Sequence, residues 1–216
     1  HGDHLYGRPV RLLSYSDKMR LLYHAVKHLG LELGQVIESH FSTRTRRDKP
    51  REQLARLLAH DLFGIIDYYA NQGKELGKFA TTPDAKIIEN LCRTIKDEMR
   101  DTGLRDYSDQ LLDTLKLLRA HPRLIPQYDH ILVDEYQDVN PVQKELLDIL
   151  APPNLFVVGD PRQSIYGWRG SSIRCILDFP KEAGCTTVAL TRNHRSVPVI
   201  VDAMNACIRP LRMLDL

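Results

Sequence analysis

The chain has 216 residues, 43% of them hydrophobic and 27% charged, a composition that is ordinary for a folded globular protein and argues against disorder. Its 30 basic and 28 acidic residues leave a formal net charge of +2, so net charge alone does not indicate nucleic-acid binding. The four cysteines lie far apart without a Cys-x-x-Cys pair, and no apolar run reaches the roughly 20 residues that span a bilayer. We therefore expect no disulfide, zinc site or membrane span, and a soluble cytoplasmic protein.

Helical periodicity dominates the chain from about residue 16 to residue 125. A first helix is predicted to be capped by Ser16 and to stop at Gly30. Its apolar stripe has the spacing i, i+3, i+4, i+7 and consists of Leu22, Ala25, Val26 and Leu29. Three more helices are predicted over residues 52–69, 83–100 and 108–120, the last of them capped by Ser108. The buried stripe of this last helix is predicted to be Leu111, Leu112, Leu115 and Leu118.

From about residue 129 to residue 208, short apolar runs alternate with helical segments. Strands are predicted over residues 130–133, 155–158 and 187–190, and helices over residues 141–150, 172–179 and 197–208. Such alternation indicates a parallel sheet. The predicted fold class is therefore α/β, with a mostly helical part over residues 1–125 and a part that carries the sheet over residues 126–216.

Polar side chains follow two of the predicted strands directly. Ligands of open parallel sheets bind at the carboxyl ends of the strands, which is where Asp134, Glu135, Asp160 and Gln163 fall. One carboxylate there can hold Mg²⁺ through water, and its neighbour can reach a nucleophilic water. The amide of Gln163 both donates and accepts hydrogen bonds, which suits contact with a terminal phosphate. For Asp134-Glu135 alone, an ordinary acidic loop after a buried strand remains the alternative.

An aromatic segment and a basic run offer two surfaces for nucleic acid. Tyr166, Trp168 and Arg169 combine planar rings with a guanidinium, a composition that stacks unpaired bases without reading their sequence. The alternative for a lone tryptophan is a core anchor. The basic run crowds six side chains into 13 residues: Arg44, Arg46, Arg47, Lys49, Arg51 and Arg56. It predicts either a loop that contacts phosphates or a solvated connector between helices, and both interpretations stay open.

These runs resemble the motifs of UvrD/Rep-type helicases of superfamily 1. Residues 133–138, VDEYQD, resemble motif II (VDExQD), and residues 157–170, VVGDPRQSIYGWRG, resemble motif III (VGDxxQSIYGWRGA). Residues 193–196, NHRS, resemble the NYRS run of motif IV. Residues 106–112, DYSDQLL, resemble a DFxDLL run that precedes motif II, and residues 11–30 look like the start of the helical 1B subdomain. The resemblance thus covers most of the chain.

The resemblance implies a partial RecA-like sheet of the P-loop NTPase type with a helical insertion. Residues 1–125 would be the 1B-like subdomain, and residues 126–216 would be the C-terminal half of domain 1A with motifs II to IV. The implied activity is ATP-dependent unwinding of DNA with 3′ to 5′ movement, and the implied cofactors are ATP and Mg²⁺. The implied partners are single-stranded DNA, junctions of duplex and single strand, and repair or replication proteins. The implied location is cytoplasmic or nucleoid-associated.

The same resemblance assigns roles to individual residues. Asp134 would bind Mg²⁺ through water and Glu135 would be the general base, while Gln163 and Arg195 would reach the γ-phosphate. Asp160 would belong to the nucleotide site. His194 replaces the usual tyrosine that stacks on adenine. The residues that would contact DNA are Trp168, Tyr166, Arg169, Arg44, Arg46 and Arg47.

A P-loop of the form G-x-x-x-x-G-K-[ST] does not occur in these 216 residues. The nearest approach, residues 73–79, has its glycines too close together and Phe79 in place of a hydroxyl residue, so it is predicted to be a loop. Motifs V and VI are not found either. We therefore expect a piece of a helicase that does not hydrolyse ATP alone. Two alternatives are a natural module without a P-loop that binds single strands or a partner protein, and a metal nuclease that uses Asp134, Glu135 and Asp138.

Overall fold

The structure is a computed structural model, and it describes residues 9–77, 80–150, 154–182 and 184–209. The helices in these ranges are α1 (Tyr15–His28), α2 (Leu33–His40), α3 (Thr43–Asp48), α4 (Arg51–Asn71), α5 (Pro83–Thr102), α6 (Tyr107–Ala120), α7 (Pro141–Leu150), α8 (Ile173–Asp178) and α9 (Pro198–Ile208). The strands are β1 (Arg11–Leu12), β2 (Leu104–Arg105), β3 (Ile131–Val133) and β4 (Leu155–Val157). Within the described ranges, every helix is too short or too polar to cross a membrane.

Helix α1 begins two residues before its predicted position because Ser14, and not Ser16, caps it. The Ser14 hydroxyl accepts a hydrogen bond from the Asp17 N–H at 3.2 Å, and the Asp17 carboxylate accepts one from the Ser14 N–H at 3.1 Å. This reciprocal pair is a capping box. The residue three positions after Ser16 is Met19, which has no carboxylate or amide to return the bond. The predicted cap is therefore wrong, although the helix itself is confirmed.

The other long helices of the first part agree with prediction to within two residues at each end. The main core lies between α1, α2, α4 and α5, and its most buried side chains are Leu21, Leu22, Leu58, Leu62, Leu91 and Ile95. Helix α6 begins after Asp106, which caps it in place of the predicted Ser108. Of the leucine stripe predicted for α6, Leu115 and Leu118 are buried, whereas Leu111 and Leu112 are only partly buried.

Four short elements of the first part were not predicted. Helix α2 is only eight residues long, and α3 carries Arg44, Arg46 and Arg47 of the basic run, which was expected as a loop or connector. Arg51 and Arg56 of that run lie on α4. Strands β1 and β2 form a parallel pair that joins the start of the chain to the end of α5. Of the loop predicted over residues 73–79, residues 74–77 lack regular structure. Residues 78 and 79 lie outside the described residues.

Strands β3 and β4 pair in parallel, with Ile131 opposite Leu155 and Val133 opposite Val157. Helix α7 connects them and occupies the predicted range, so a parallel strand–helix–strand unit is confirmed here. The third predicted strand, over residues 187–190, is wrong because these residues have no regular structure. Val188 and Leu190 are exposed, and an apolar run becomes a strand only where a neighbouring strand and a packing surface receive it.

Candidate functional site

The acidic loop after β3 is held in an unusual backbone conformation. Glu135 has φ +52° and is the one residue other than glycine with positive φ in the described ranges. Its N–H donates to Oδ1 of Asp134 at 2.9 Å. A left-handed conformation at such a residue costs about 1–3 kcal/mol and persists only where the surroundings enforce it. The loop therefore holds the two carboxylates in a set arrangement.

The carboxylates of this loop line an open cleft of ≈ 380 Å³ beside α7. Asp134, Glu135 and Asp138 face it together with Val133 and Leu146. Beneath the loop, Tyr136 is buried against Phe179, with ring centroids 5.3 Å apart. Burial raises the pKa of Tyr136 to about 12, so this phenol stays neutral and acts as an apolar support.

The loop after β4 is organised by Asp160. Its Oδ1 accepts from the Arg162 N–H at 2.9 Å, and its Oδ2 accepts from the Gln163 side-chain amide at 3.0 Å. The N–H of Asp160 donates to Oε1 of Gln137 at 3.0 Å, and the Gln137 amide nitrogen donates to Oε2 of Glu135 at 2.6 Å. The structure thus brings the predicted residues Glu135, Asp160 and Gln163 together.

The residue that joins the two loops, Gln137, was given no role in the sequence interpretation. The sequence nevertheless contains a signal for it, since Gly159 directly precedes Asp160 in the second loop. A glycine there indicates that another group approaches the backbone closely. The sequence alone does not identify the group that approaches Gly159.

The aromatic segment lies at the surface. Trp168 is 66% exposed and Tyr166 is 39% exposed. The Arg169 guanidinium lies 5.4 Å from the Trp168 ring and 5.9 Å from the Tyr166 ring, within the range of cation–π attraction. The alternative that Trp168 is a core anchor is therefore wrong. The three side chains form one exposed row.

The end of α4 holds this aromatic segment in place. The side-chain amides of Asn71 and Gln72 donate to the carbonyls of Arg169 and Gly170 at 2.9 Å and 2.8 Å. Gly170 has φ +90°, and a Cβ on it would lie 2.9 Å from Cβ of Asn71. Only glycine permits so close a contact in this conformation. The helical part and the aromatic segment therefore meet through direct hydrogen bonds.

The basic side chains lie at the opposite end of α4. Arg44 and Arg47 are exposed on α3, which precedes α4, and Arg46 is partly buried. Arg46 donates to the Thr43 hydroxyl at 3.4 Å. Because α4 has 21 residues and rises 1.5 Å per residue, about 30 Å separates its two ends. The structure does not bring the basic run and the aromatic row together.

His194 and Arg195 lie in an exposed loop before α9. Oδ1 of Asn193 accepts from the N–H groups of Arg195 and Ser196, both at 2.9 Å, and so forms the turn. In the part of the chain that the structure describes, neither His194 nor Arg195 makes a hydrogen bond or ion pair with Glu135 or Gln163. Both stay separate from the acidic cleft.

Residues 8–184 match the family model of the UvrD/REP helicase N-terminal domain. The chain belongs to the UvrD/REP helicase family. Among its relatives, the ATP-dependent DNA helicase PcrA of Leuconostoc citreum is 35% identical over 157 residues, which cover 68% of this chain and 21% of the relative. The PcrA of Staphylococcus aureus is 35% identical over 156 residues, with the same shares. A putative ATP-dependent DNA helicase of Bacillus subtilis, YjcD, is 41% identical over 131 residues, or 57% of this chain and 17% of the relative. The chain thus spans about a fifth of the length of the PcrA relatives.

The UvrD/REP family implies ATP and Mg²⁺, and the cleft has oxygen donors that suit the cation. Oδ1 of Asp138 is buried and has no hydrogen-bond partner among the described residues. Asp134 lines the same cleft with an exposed carboxylate. Mg²⁺ in nucleotide sites binds one or two carboxylates and completes its shell with phosphates and water. Asp134 and Asp138 fit that requirement with two carboxylates. In the described ranges, no group of three or more His, Cys, Asp or Glu side chains could hold a metal without other ligands.

Proposed function

We propose that the chain is part of an ATP-dependent DNA helicase or translocase. Residues 126–216 would belong to its first RecA-like domain, and residues 1–125 would form the helical 1B-like insertion. The observation that carries the proposal is the joined pair of loops, in which Glu135 is connected through Gln137 to Asp160 and Gln163. The similarity of the chain to PcrA, an ATP-dependent DNA helicase, and to YjcD, a putative ATP-dependent DNA helicase, supports it.

Each loop residue has a chemical task in this proposal. Asp134 and Asp138 would hold Mg²⁺, which supplies charge neutralisation at the phosphates. Glu135 would accept a proton from the attacking water, because its Oε1 accepts no hydrogen bond among the described residues while Oε2 is bonded to Gln137. Gln163 would contact the terminal phosphate from the position in which Asp160 holds it. Arg195 and His194 would reach the nucleotide by a movement of their exposed loop.

The aromatic row gives the proposal its DNA contact. Trp168, Tyr166 and Arg169 offer exposed π-faces and a cation on a segment that continues directly from Gln163. Single strands stack on such surfaces without sequence preference. The proposed substrate is therefore single-stranded DNA and its junction with duplex, with 3′ to 5′ movement as the family resemblance implies.

ATP hydrolysis tests the proposal. The full-length natural protein that carries this sequence is assayed with Mg²⁺, with and without a single-stranded oligonucleotide. We expect turnover that the oligonucleotide stimulates and that falls by roughly 100-fold or more in Glu135→Gln. The matched control is Glu38→Gln, since Glu38 is exposed on α2. The 216-residue chain alone is expected to show no turnover that depends on Glu135.

Other outcomes of the same assay would favour the alternatives. Oligonucleotide binding without any hydrolysis that depends on Glu135 would contradict the proposal and favour a binding module. Mg²⁺-dependent cleavage of the oligonucleotide that is lost in Glu135→Gln would favour a nuclease. Turnover by the 216-residue chain that is lost in Glu135→Gln would show that other residues of this chain hold the phosphates.

A further inference from the structure

The side chain of Gln137 is buried between the two loops, with an exposed fraction of 1%. It lies on the 3₁₀ turn Tyr136–Asp138, directly after Glu135 and Tyr136. Its amide nitrogen donates to Oε2 of Glu135 at 2.6 Å and, with a longer contact of 3.4 Å, to Oδ2 of Asp138. Its Oε1 accepts from the Asp160 N–H at 3.0 Å. Both ends of the amide are thus paired, as a buried polar group requires.

The chemistry of its partners determines the orientation of this amide. An ionised carboxylate only accepts, and a backbone N–H only donates. The nitrogen of Gln137 must therefore face Glu135, and its oxygen must face Asp160. A flipped amide would place donor against donor and acceptor against acceptor. This side chain has one satisfactory position.

The surrounding backbone leaves the amide little room to move. A Cβ on Gly159 would lie 2.6 Å from Oε1 of Gln137 and 2.8 Å from Cδ1 of Ile176. The Ser164 hydroxyl donates to the Gln137 carbonyl at 3.2 Å, and the Tyr136 N–H donates to the Val158 carbonyl at 2.9 Å. Both the side chain and the main chain of this turn are therefore bonded to the second loop. Rotation of the amide would break contacts in both loops.

We infer that Gln137 is a positioning residue that holds the Glu135 carboxylate and couples it to the loop carrying Asp160, Gln163 and Ser164. By bonding Oε2, Gln137 leaves Oε1 of Glu135 without a hydrogen bond among the described residues, so that Oε1 can accept a proton. By bonding Asp160, it transmits any displacement of the second loop to Glu135. That loop continues into the aromatic row, so a strand stacked on Trp168 acts on Glu135 through Gln137. This inference rests on the proposed function, in which Glu135 is the general base.

The inference is tested in the full-length natural protein with Gln137→Met, which keeps the length of the side chain and removes its hydrogen bonds. We expect kcat for ATP with oligonucleotide to fall roughly 10- to 100-fold, because a displaced general base loses its geometry. The KM for ATP and the Kd for oligonucleotide should stay within about twofold of their original values. The stimulation of turnover by oligonucleotide should fall toward unity.

Two further variants separate positioning from general support. Ser108→Ala is the control for lost stability, because the buried Ser108 hydroxyl donates to Oδ1 of Asp67 at 2.8 Å in the helical part, away from the acidic cleft. It should lower thermal stability to a similar degree while keeping kcat and the stimulation. Gln137→Glu keeps an acceptor for the Asp160 N–H but loses the donor to Glu135. It should lower kcat at least as far as Gln137→Met, and it replaces Gln137→Met if that variant does not fold.

Some results would overturn the inference while leaving the proposed function intact. One is an unchanged kcat and an unchanged stimulation by oligonucleotide in Gln137→Met or Gln137→Glu, when hydrolysis by the unmodified protein does depend on Glu135. Another is a loss of kcat in Ser108→Ala as large as that in Gln137→Met, which would mean that Gln137 acts only through the stability of the fold. If the unmodified protein shows no hydrolysis that depends on Glu135, the proposed function itself fails, and the inference fails with it.

Discussion

Trp168 shows how a single side chain can be placed for binding rather than for folding. Its ring is 66% exposed, so it contributes little to the core, and Arg169 stacks its guanidinium near the ring face. The backbone directly after it is fixed, because the Arg169 and Gly170 carbonyls accept hydrogen bonds from side chains at the end of α4. A large apolar ring that is exposed to solvent on a fixed segment offers a surface on which a planar group such as a base can stack.

Trp168→Ala is expected to weaken binding of single-stranded oligonucleotide by about 1–3 kcal/mol, the usual contribution of one stacked base. Trp168→Phe should retain most of the affinity because it keeps a π-face. Both variants should keep the thermal stability of the unmodified protein, since the ring is mostly in solvent. Fluorescence anisotropy with a labelled oligonucleotide measures the affinity, and Tyr107→Ala, at another exposed aromatic residue, is the control. Unchanged affinity in Trp168→Ala would remove Trp168 from the DNA site.

The sequence predicted individual site residues better than it predicted the contacts between them. Asp134, Glu135, Asp160 and Gln163 follow from strand ends and side-chain chemistry, and the structure places them at one edge of the sheet. Gln137 was missed because its role depends on a hydrogen bond to Asp160, 23 residues away along the chain. Single-residue chemistry carries no information about such a partner. The exposure of Trp168 likewise depends on packing that the sequence does not state.

At the scale of elements, α4 determines the spacing of the proposed DNA contacts. Its C-terminal end bonds the aromatic segment, and α3 with its arginines precedes its N-terminal end. The two surfaces are about 30 Å apart, which corresponds to about nine phosphates at the 3.4 Å spacing of one DNA strand. A short oligonucleotide on Trp168 therefore does not reach α3, whereas a longer one does.

Neutralising Arg44, Arg46 and Arg47 together is expected to flatten the salt dependence of binding for long oligonucleotides only. Loss of three phosphate contacts should reduce the slope of log K against log salt by about 2 for a single strand of about 20 nucleotides. For a strand of about 5 nucleotides the slope should not change, because of the distance along α4. Titrations at several salt concentrations measure both slopes. The control neutralises three exposed basic residues elsewhere, Lys27, Arg123 and Lys181. An unaltered slope with the long strand would leave α3 as a connector.

The ranges of the long helices could be predicted from the sequence, whereas the short helices and strands of the first part could not. Helices α4, α5 and α7 have extended apolar periodicity and defined ends, such as Thr82 before α5 and Gly103 after it, so their ranges were predicted closely. Helices α2 and α3 have eight and six residues, too few for a periodic pattern. The pairing of β1 with β2 joins residues about 90 positions apart, and such long-range pairing leaves no local signal. The strand expected over residues 187–190 had a local signal, but no described strand of this chain pairs with it.

At the scale of the whole molecule, the two parts of the chain differ in how much apolar surface they bury. The helical part has a large cluster of buried side chains, whereas the cluster beneath the acidic loop consists of Tyr136, Val139 and Cys175. On the sheet, Leu132 and Phe156 are register partners on one face and are 75% and 59% exposed. Apolar burial is the main source of stability. The strand unit is therefore expected to be the less stable part of this chain.

Hydrogen exchange of backbone amides tests that difference. In the 216-residue chain, the hydrogen-bonded amides of Ile131 and Val158 should exchange at least about 10-fold faster than those of Leu58 and Leu91 in the helical core, because local opening exposes little buried surface. In the full-length natural protein, the proposed RecA-like domain would add strands beside β3 and β4. Ile131 and Val158 should then gain protection, while Leu58 should change little. Equal protection at all four amides of the 216-residue chain would instead mean that its two parts unfold together, and the small cluster around Tyr136 would be sufficient to stabilise the sheet.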